Sequence, residues 1–252
     1  MDLGIRGRNA LVCGASRGLG KACALALARE GVNITIVARG RDVLESAGGE
    51  IGRLTGGAVV TVAADLTTND GRAAAISACP QPDILVNNSQ GPLPGNFREW
   101  SREDWLAALD DMMRLTVDGM MERGFGRIVN IVSRSVKIPQ VELALSNGAR
   151  SGLVGFAAGL ARQTVARNVT INNLLPGIFD SDAQYRHIRG MLTGTNKTFE
   201  QVYRERAEAS PAKRYGDPAE FGAYCAFLCS SQSGYITGQS LLIDGGSYPG
   251  IF

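Results

Sequence analysis

A strand-like run, ALVC at 10–13, leads into GASRGLG at 14–20 and then into a helix-like stretch, so Gly14, Gly18 and Gly20 make a G-x3-G-x-G turn. Glycines so spaced let the backbone turn tightly and approach a pyrophosphate, where unpaired N–H groups at a helix N-terminus favour an anion. A glycine triplet can also be a tight turn with no ligand. What favours the phosphate is that strand, helix and next strand fall at matching spacing. The second strand ends in IVARGR at 36–41, with no acidic residue to accept from a ribose 2′-hydroxyl. Arg39 there and Arg17 in the glycine turn suit a 2′-phosphate, so NADP(H) is expected in preference to NAD(H).

A second pair with chemical potential lies in ALSNGAR at 144–150, where Ser146 and Arg150 stand one helical turn apart. Ser146 as a nucleophile would need a base, and His187 is the single histidine of the chain. A small helix-face residue in an enlarged pocket is the favoured reading of Ser146. Cys225 and Cys229 are also one turn apart, and buried helix packing is favoured over metal or redox chemistry. With five cysteines, no C-x-x-C pair and one histidine, no metal site is expected and a reducing, cytoplasmic compartment fits best.

The elements that must position these residues follow from the apolar pattern. Short β-branched runs (ALVCG, NITIVAR, VVTVAADL, DILVNN, GRIVNIVS, NVTINNLLPG, SLLIDGG) alternate with Ala/Leu-rich helical stretches, the pattern of βα units around a parallel sheet. The strands are apolar on successive residues, as strands covered on both faces must be. The fold class is therefore α/β: a single-domain Rossmann fold over 1–252, with a doubly wound parallel β-sheet flanked by helices. The rhythm breaks between Pro176 and Pro211, and a substrate lid is expected at about 178–211. The net charge of +2, scattered along 252 residues, marks no nucleic-acid or membrane surface. No run is long and apolar enough to span a bilayer, which leaves a small-molecule substrate as the expected partner.

Taken together, GASRGLG, AADL, ILVNNSQG, GRIVNIVS, LLPGIFDSD and YITGQSLLIDGG resemble the classical short-chain dehydrogenase/reductase family, in particular its 3-oxoacyl-[acyl carrier protein] reductase-like members. The resemblance covers essentially the whole chain. It implies that Gly14, Ser16, Arg17, Gly18, Leu19 and Gly20 cradle the phosphates, with Asp65 and Leu66 beside the adenine. Asn87 would support the next strand and the ribose. Pro176, Gly177 and Ile178 would flank the nicotinamide, and Ser181 would meet its carboxamide. Ser133 matches the serine that hydrogen-bonds the substrate carbonyl. The resemblance further implies a homodimer or homotetramer, built in part on the glycine-bearing helix from Ser151 to Ala161.

The same resemblance exposes three departures. The family's Tyr-x-x-x-Lys falls on Ser146 and Arg150, and its relay asparagine falls near Met112. The stretch before GRIV is also shorter than usual by roughly two turns of helix. A serine hydroxyl is shorter and less acidic than the phenol it replaces, and an arginine does not readily release a proton. The expectation is an NADP(H)-dependent oxidoreductase acting on a carbonyl or conjugated double bond with a non-standard proton donor. Ser133, Ser146 and Arg150 form its catalytic set, and Tyr185 or His187 is a candidate acid in the lid. The alternative is a catalytically silent dinucleotide-binding homologue, serving as a sensor or partner subunit. A non-redox lyase or hydrolase at Ser146 is least favoured.

Overall fold

The computed structural model describes residues 2–88 and 112–251. The end of ILVNNSQG and the residues before Met112 lie outside the described residues, and with them part of the stretch before GRIV that is expected to be short.

Seven strands, β1 (Asn9–Cys13), β2 (Asn33–Ala38), β3 (Val59–Ala63), β4 (Ile84–Asn87), β5 (Gly126–Ile131), β6 (Val169–Pro176) and β7 (Ser240–Ile243), form one sheet in the order β3-β2-β1-β4-β5-β6-β7. Every neighbouring pair is parallel. The strand order reverses between β1 and β4, and an open α/β sheet binds its ligands outside the strand ends at such a switch point. The helices are α1 (Gly18–Arg29), α2 (Arg41–Thr55), α3 (Asn69–Ala78), α4 (Met112–Arg123), α5 (Ala144–Thr164), α6 (Asp182–Met191), α7 (Phe199–Ala209) and α8 (Pro218–Leu228).

Successive side chains of a strand leave opposite faces, so each strand feeds two cores. Ala10 and Val12 of β1 join Leu27 of α1, Ile51 of α2 and Phe221 of α8 on one face. Leu11 and Cys13 join Val117 and Met120 of α4 and Ala157 and Ala161 of α5 on the other. Burying each Leu or Ile side chain contributes about 1.5–3 kcal/mol, which explains the unbroken apolar runs of the central strands. The cysteines are free thiols, all buried in these cores. No helix among the described residues is long and apolar enough to cross a membrane.

A polar line crosses this apolar sheet. Asn87 of β4, Asn130 of β5, Asn173 of β6 and Ser240 of β7 are register partners in turn. Asn87 Nδ2 donates to Asn130 Oδ1 at 2.8 Å, Asn130 Nδ2 to Asn173 Oδ1 at 2.9 Å, and Asn173 Nδ2 to Ser240 Oγ at 3.2 Å. The three asparagines are buried, so each amide's cost of leaving water is offset only by its neighbours.

Between β6 and β7 the chain leaves the sheet for α6 and α7, which share a small core of Ile178, Ile188, Val202 and Tyr215. Thr198 starts α7 with a capping box, its side chain and that of Gln201 satisfying each other's backbone N–H. This excursion spans the predicted lid.

Replacing Asn130 with alanine orphans Asn87 Nδ2 and Asn173 Oδ1 together. At about 1–3 kcal/mol for each orphaned group, Asn130→Ala is expected to lower unfolding stability by roughly 2–6 kcal/mol. Urea denaturation measures it, and an unchanged midpoint would show that the ladder contributes nothing.

Candidate active site

The glycine turn is shaped by contacts that leave no room for side chains. Gly14 and Gly18 have φ of +58° and +56°, in the left-handed region. A Cβ on Gly14 would lie 2.7 Å from Asn88 Nδ2, and one on Gly20 would meet the carbonyl oxygen of Gly14. Asn88, the second asparagine of ILVNN, donates from Nδ2 to that same carbonyl at 3.0 Å and so ties the end of β4 to the turn. The doubled asparagine was the sequence signal for it.

Helix α1 starts from this turn without a side-chain cap, Arg17 being its N-cap and no acidic residue lying in its first turn. The contrast with α3, α6, α7 and α8, all capped by Thr, Ser or Asp, is physical: the first N–H groups of α1 are left for another acceptor. Cradle and uncapped helix together fit a pyrophosphate. Ser16 and Leu19 complete the turn, with Leu19 packed against the core.

Asp65 and Leu66, expected at the adenine, follow β3. Asp65 Oδ1 accepts from the Thr67 amide at 3.0 Å and the Thr67 hydroxyl at 2.9 Å. Those bonds, helped by the positive charge of Arg39, hold its carboxyl below the ordinary value. Asn87 supports the adjoining strand through the asparagine ladder, with its carboxamide buried inside the sheet.

Pro176 closes β6, and the Gly177 amide donates to Ile243 O at 2.8 Å. A Cβ on Gly177 would lie 2.6 Å from Asp244 Cα, so glycine is required by the close approach of two strand ends. Ile178 is buried, and Ser181 caps α6, its Oγ accepting from Gln184 N at 3.4 Å. Ser181 also borders the glycine turn, with its Cβ 3.7 Å from where a Cβ on Gly18 would lie.

A cleft of about 580 Å³ opens beside the turn, lined by Ser16, Arg17, Gly18, Ser181, Asp182 and Tyr185 before running outward between α1 and α8. It includes neither Arg39 nor Asp65, so it adjoins the predicted dinucleotide path on the outer side of α1 and does not coincide with it. Across its mouth Arg17 pairs with Asp182 at 3.4 Å, both side chains being about half exposed.

The catalytic candidates lie at the end of β5. Ser133 is half-buried and caps a single turn of 3₁₀ helix, its Oγ accepting from Ser135 N at 3.1 Å. That bond uses a lone pair and leaves the hydroxyl proton for a further acceptor. Ser146 is buried on α5 and accepts from Arg150 Nε at 3.0 Å. Arg150 also donates through one terminal nitrogen to Ile131 O at 3.3 Å and to Val132 O. Its guanidinium therefore closes the carbonyl end of β5 immediately before Ser133. Burial lowers its pKa to about 10, which leaves it a cation at neutral pH.

The two acids considered for the excursion fare differently. Tyr185 donates its phenol to Asp180 Oδ1 at 2.6 Å, and Tyr203 donates to the same oxygen at 3.0 Å. That carboxylate raises the pKa of Tyr185, while burial and then Asp180 push Tyr203 up to about 12. A phenol so held is a weaker acid than free tyrosine, which argues against Tyr185 as the replacement. His187 is half-buried on α6. At the relay position Met112 is fully buried in the core, where a thioether carries no proton.

Sequence and fold comparisons agree with this geometry. A family profile described as enoyl-(acyl carrier protein) reductase matches residues 14–248. The NADPH-dependent reductase BacG of Bacillus subtilis (strain 168) is 30% identical over 256 residues, spanning 97% of this chain and 99% of that protein. The 3-oxoacyl-[acyl-carrier-protein] reductase FabG of Vibrio cholerae is 31% identical over 257 residues, spanning 98% and 99%. Among solved structures, L-sorbose reductase from Gluconobacter frateurii, complexed with NADPH and L-sorbose, superposes with a TM-score of 0.93 at 28% identity over 100% of both chains. Matching motifs, sheet order and full-length similarity place this chain in the classical short-chain dehydrogenase/reductase family.

Proposed function

We propose that the protein is an NADPH-dependent carbonyl reductase that works without a phenolic acid. The observation that carries this reading is the intact glycine cradle leading into the uncapped α1, set beside a Ser133 whose hydroxyl proton is available. Gly14, Ser16, Arg17, Gly18, Leu19 and Gly20 would hold the pyrophosphate and Arg39 the 2′-phosphate. Asp65 and Leu66 would meet the adenine, and Pro176, Gly177, Ile178 and Ser181 the nicotinamide. NADPH-dependent relatives and an NADPH-complexed neighbour support the cofactor. When bound, the reduced nicotinamide supplies a hydride.

The chain's own residues then have two tasks. Ser133 donates its O–H to the substrate oxygen as negative charge develops there. Arg150, cationic below a pH of about 10, places positive potential behind that oxygen while Ser146 fixes the guanidinium. The proton reaches the product oxygen from water, which the short Ser146 side chain leaves room to admit. A conjugated double bond, polarised by its own substituents, is the other acceptor consistent with these groups. Residues 178–211 act as the lid, within one dinucleotide-binding unit spanning 1–252. Free buried thiols fit a reducing, cytoplasmic setting.

The second reading is a silent dinucleotide-binding homologue, acting as a sensor or partner subunit. The turning of Arg150 into Ser146 and the β5 carbonyls, away from a relay, favours it. Self-association is part of both readings. A Cβ on Gly152, Gly155 or Gly159 of α5 would meet nothing within 4 Å among the described residues, and Phe156 between them is 53% exposed, a face suited to a second copy forming a homodimer or homotetramer.

Calorimetry is expected to show NADPH binding about tenfold or more tighter than NADH. Arg39→Ala should remove most of that preference, since charge-assisted phosphate bonds are worth about 1.5–3 kcal/mol. Equal affinity for both cofactors would remove the assignment of Arg39.

In turnover assays over a carbonyl and enone panel, Ser133→Ala is expected to reduce kcat by about 10²–10³-fold. The double change Ser146→Tyr with Arg150→Lys should raise 3-oxoacyl reduction by about 10²–10⁴-fold if a missing general acid is what limits it. NADPH binding with no oxidation on any substrate would select the silent reading.

Sedimentation of the wild type should give a dimer or tetramer, and Phe156→Glu should shift it to smaller species by burying a charge at the α5 contact. An unchanged distribution would place the interface elsewhere.

A further inference from the structure

Arg17 stands at the N-cap of α1, where the glycine turn becomes helix, and Asp182 is the first residue of α6 in the predicted lid. The two are 165 residues apart in sequence, yet Arg17 Nη1 donates to Asp182 Oδ2 at 3.4 Å across the mouth of the cleft. Among the described residues the Arg17 guanidinium bonds no other group. The charges beside the pair are engaged elsewhere: Lys21 Nζ donates to Glu50 Oε2 at 2.6 Å, and Asp180 Oδ1 accepts from the Tyr185 and Tyr203 phenols. Arg17 and Asp182 are therefore each other's partners at the site where the glycine cradle and the uncapped α1 fit a pyrophosphate.

A phosphate group at that site and the Asp182 carboxylate are like charges, and one exposed guanidinium stabilises both at once less well than either alone. Asp182 has a second source of stabilisation, because a carboxylate in the first turn of a helix is favoured by the helix dipole. It can leave Arg17 without losing all compensation. The direction of the guanidinium says which phosphate is concerned. It turns to α6 beside Ser181, into a cleft that does not include Arg39, the residue given to the 2′-phosphate. The pyrophosphate is present in NADPH and NADH alike, so competition for Arg17 affects both cofactors equally.

We propose that Asp182 is an affinity-determining residue that competes with the cofactor's pyrophosphate for Arg17 and so lowers the affinity for NADPH and NADH by the same factor. This rests on the reductase reading and adds to it how the cofactor site is regulated. An oxidoreductase must release spent cofactor in every turnover, and a carboxylate ready to retake Arg17 shortens the stay of the dinucleotide.

The test is calorimetric titration of wild type, Asp182→Asn, Arg17→Met and the double variant with NADPH, the affinity for NADH being read from its displacement of NADPH. Asp182→Asn is expected to tighten NADPH binding by about three- to fivefold, the upper end of what an exposed ion pair contributes. NADH should gain by the same factor to within about 1.5-fold. In the Arg17→Met background the same substitution should change NADPH affinity by less than about 1.5-fold, because the group competed for is gone. Unchanged or weakened binding in Asp182→Asn overturns the proposal. So does a gain that persists in the Arg17→Met background, which would make Asp182 a source of general repulsion. A gain for NADPH alone also overturns it and assigns Arg17 to the 2′-phosphate. Wild type binding neither cofactor defeats the reductase reading itself. Should Asp182→Asn melt lower than wild type, Asp182→Ser repeats the test with another residue suited to a helix start, and no gain there overturns the competition.

Discussion

The register of four neighbouring parallel strands is the constraint on which the site depends. A slip of one residue would send every side chain of a strand to the opposite face, and this sheet guards against it with the Asn87, Asn130, Asn173 and Ser240 ladder. Each amide finds its partner only in one alignment, so the ladder disfavours alternatives that the apolar positions alone would tolerate. Its consequences are felt just beyond it. Asn88 follows Asn87 and reaches Gly14, Ser133 stands three residues past Asn130, and Pro176 stands three past Asn173 and level with Ile243. The glycine turn, the serine hydroxyl and the strand end beside Gly177 are thus brought together by one buried row of amides.

Past that ladder, Ser146 and Arg150 bind each other and the end of β5. Arg150 spends its donors on Ser146 and the carbonyls of Ile131 and Val132, groups that partial negative charge makes suitable for a buried cation. A lysine has three donors on a single nitrogen and cannot spread them over a helix and a strand in this way. Ser146 and Arg150 therefore support each other structurally and tie α5 to the end of β5.

Much of this was legible in the sequence because it is local. Apolar runs and turn residues marked the described strands, and GASRGLG announced its own conformation through glycine spacing. The positions of Ser133, Ser146 and Arg150 followed from a register shared with a known family. What escaped was non-local. Nothing in IFDSDAQY says that the Asp180 carboxylate takes protons from two phenols, so Tyr185 looked free to act as an acid. The asparagines were readable as strand residues, but their pairing exists only once four strands lie side by side.

The excursion over the sheet edge shows how such long-range contacts divide by strength. Its own cohesion is apolar: Ile178, Ile188, Val202 and Tyr215 pack together, Tyr203 stacks on Tyr215 at 4.2 Å, and the capping box fixes the start of α7. Its tie to the glycine turn is of another kind, the Arg17–Asp182 pair between side chains about half exposed to water. Such a pair contributes about 0–1 kcal/mol, less than burying one leucine. α6 and α7 are therefore held to each other far more firmly than Asp182 is held to Arg17. An anion arriving at Arg17 would displace only a weak partner, and the packing inside the excursion would not have to change.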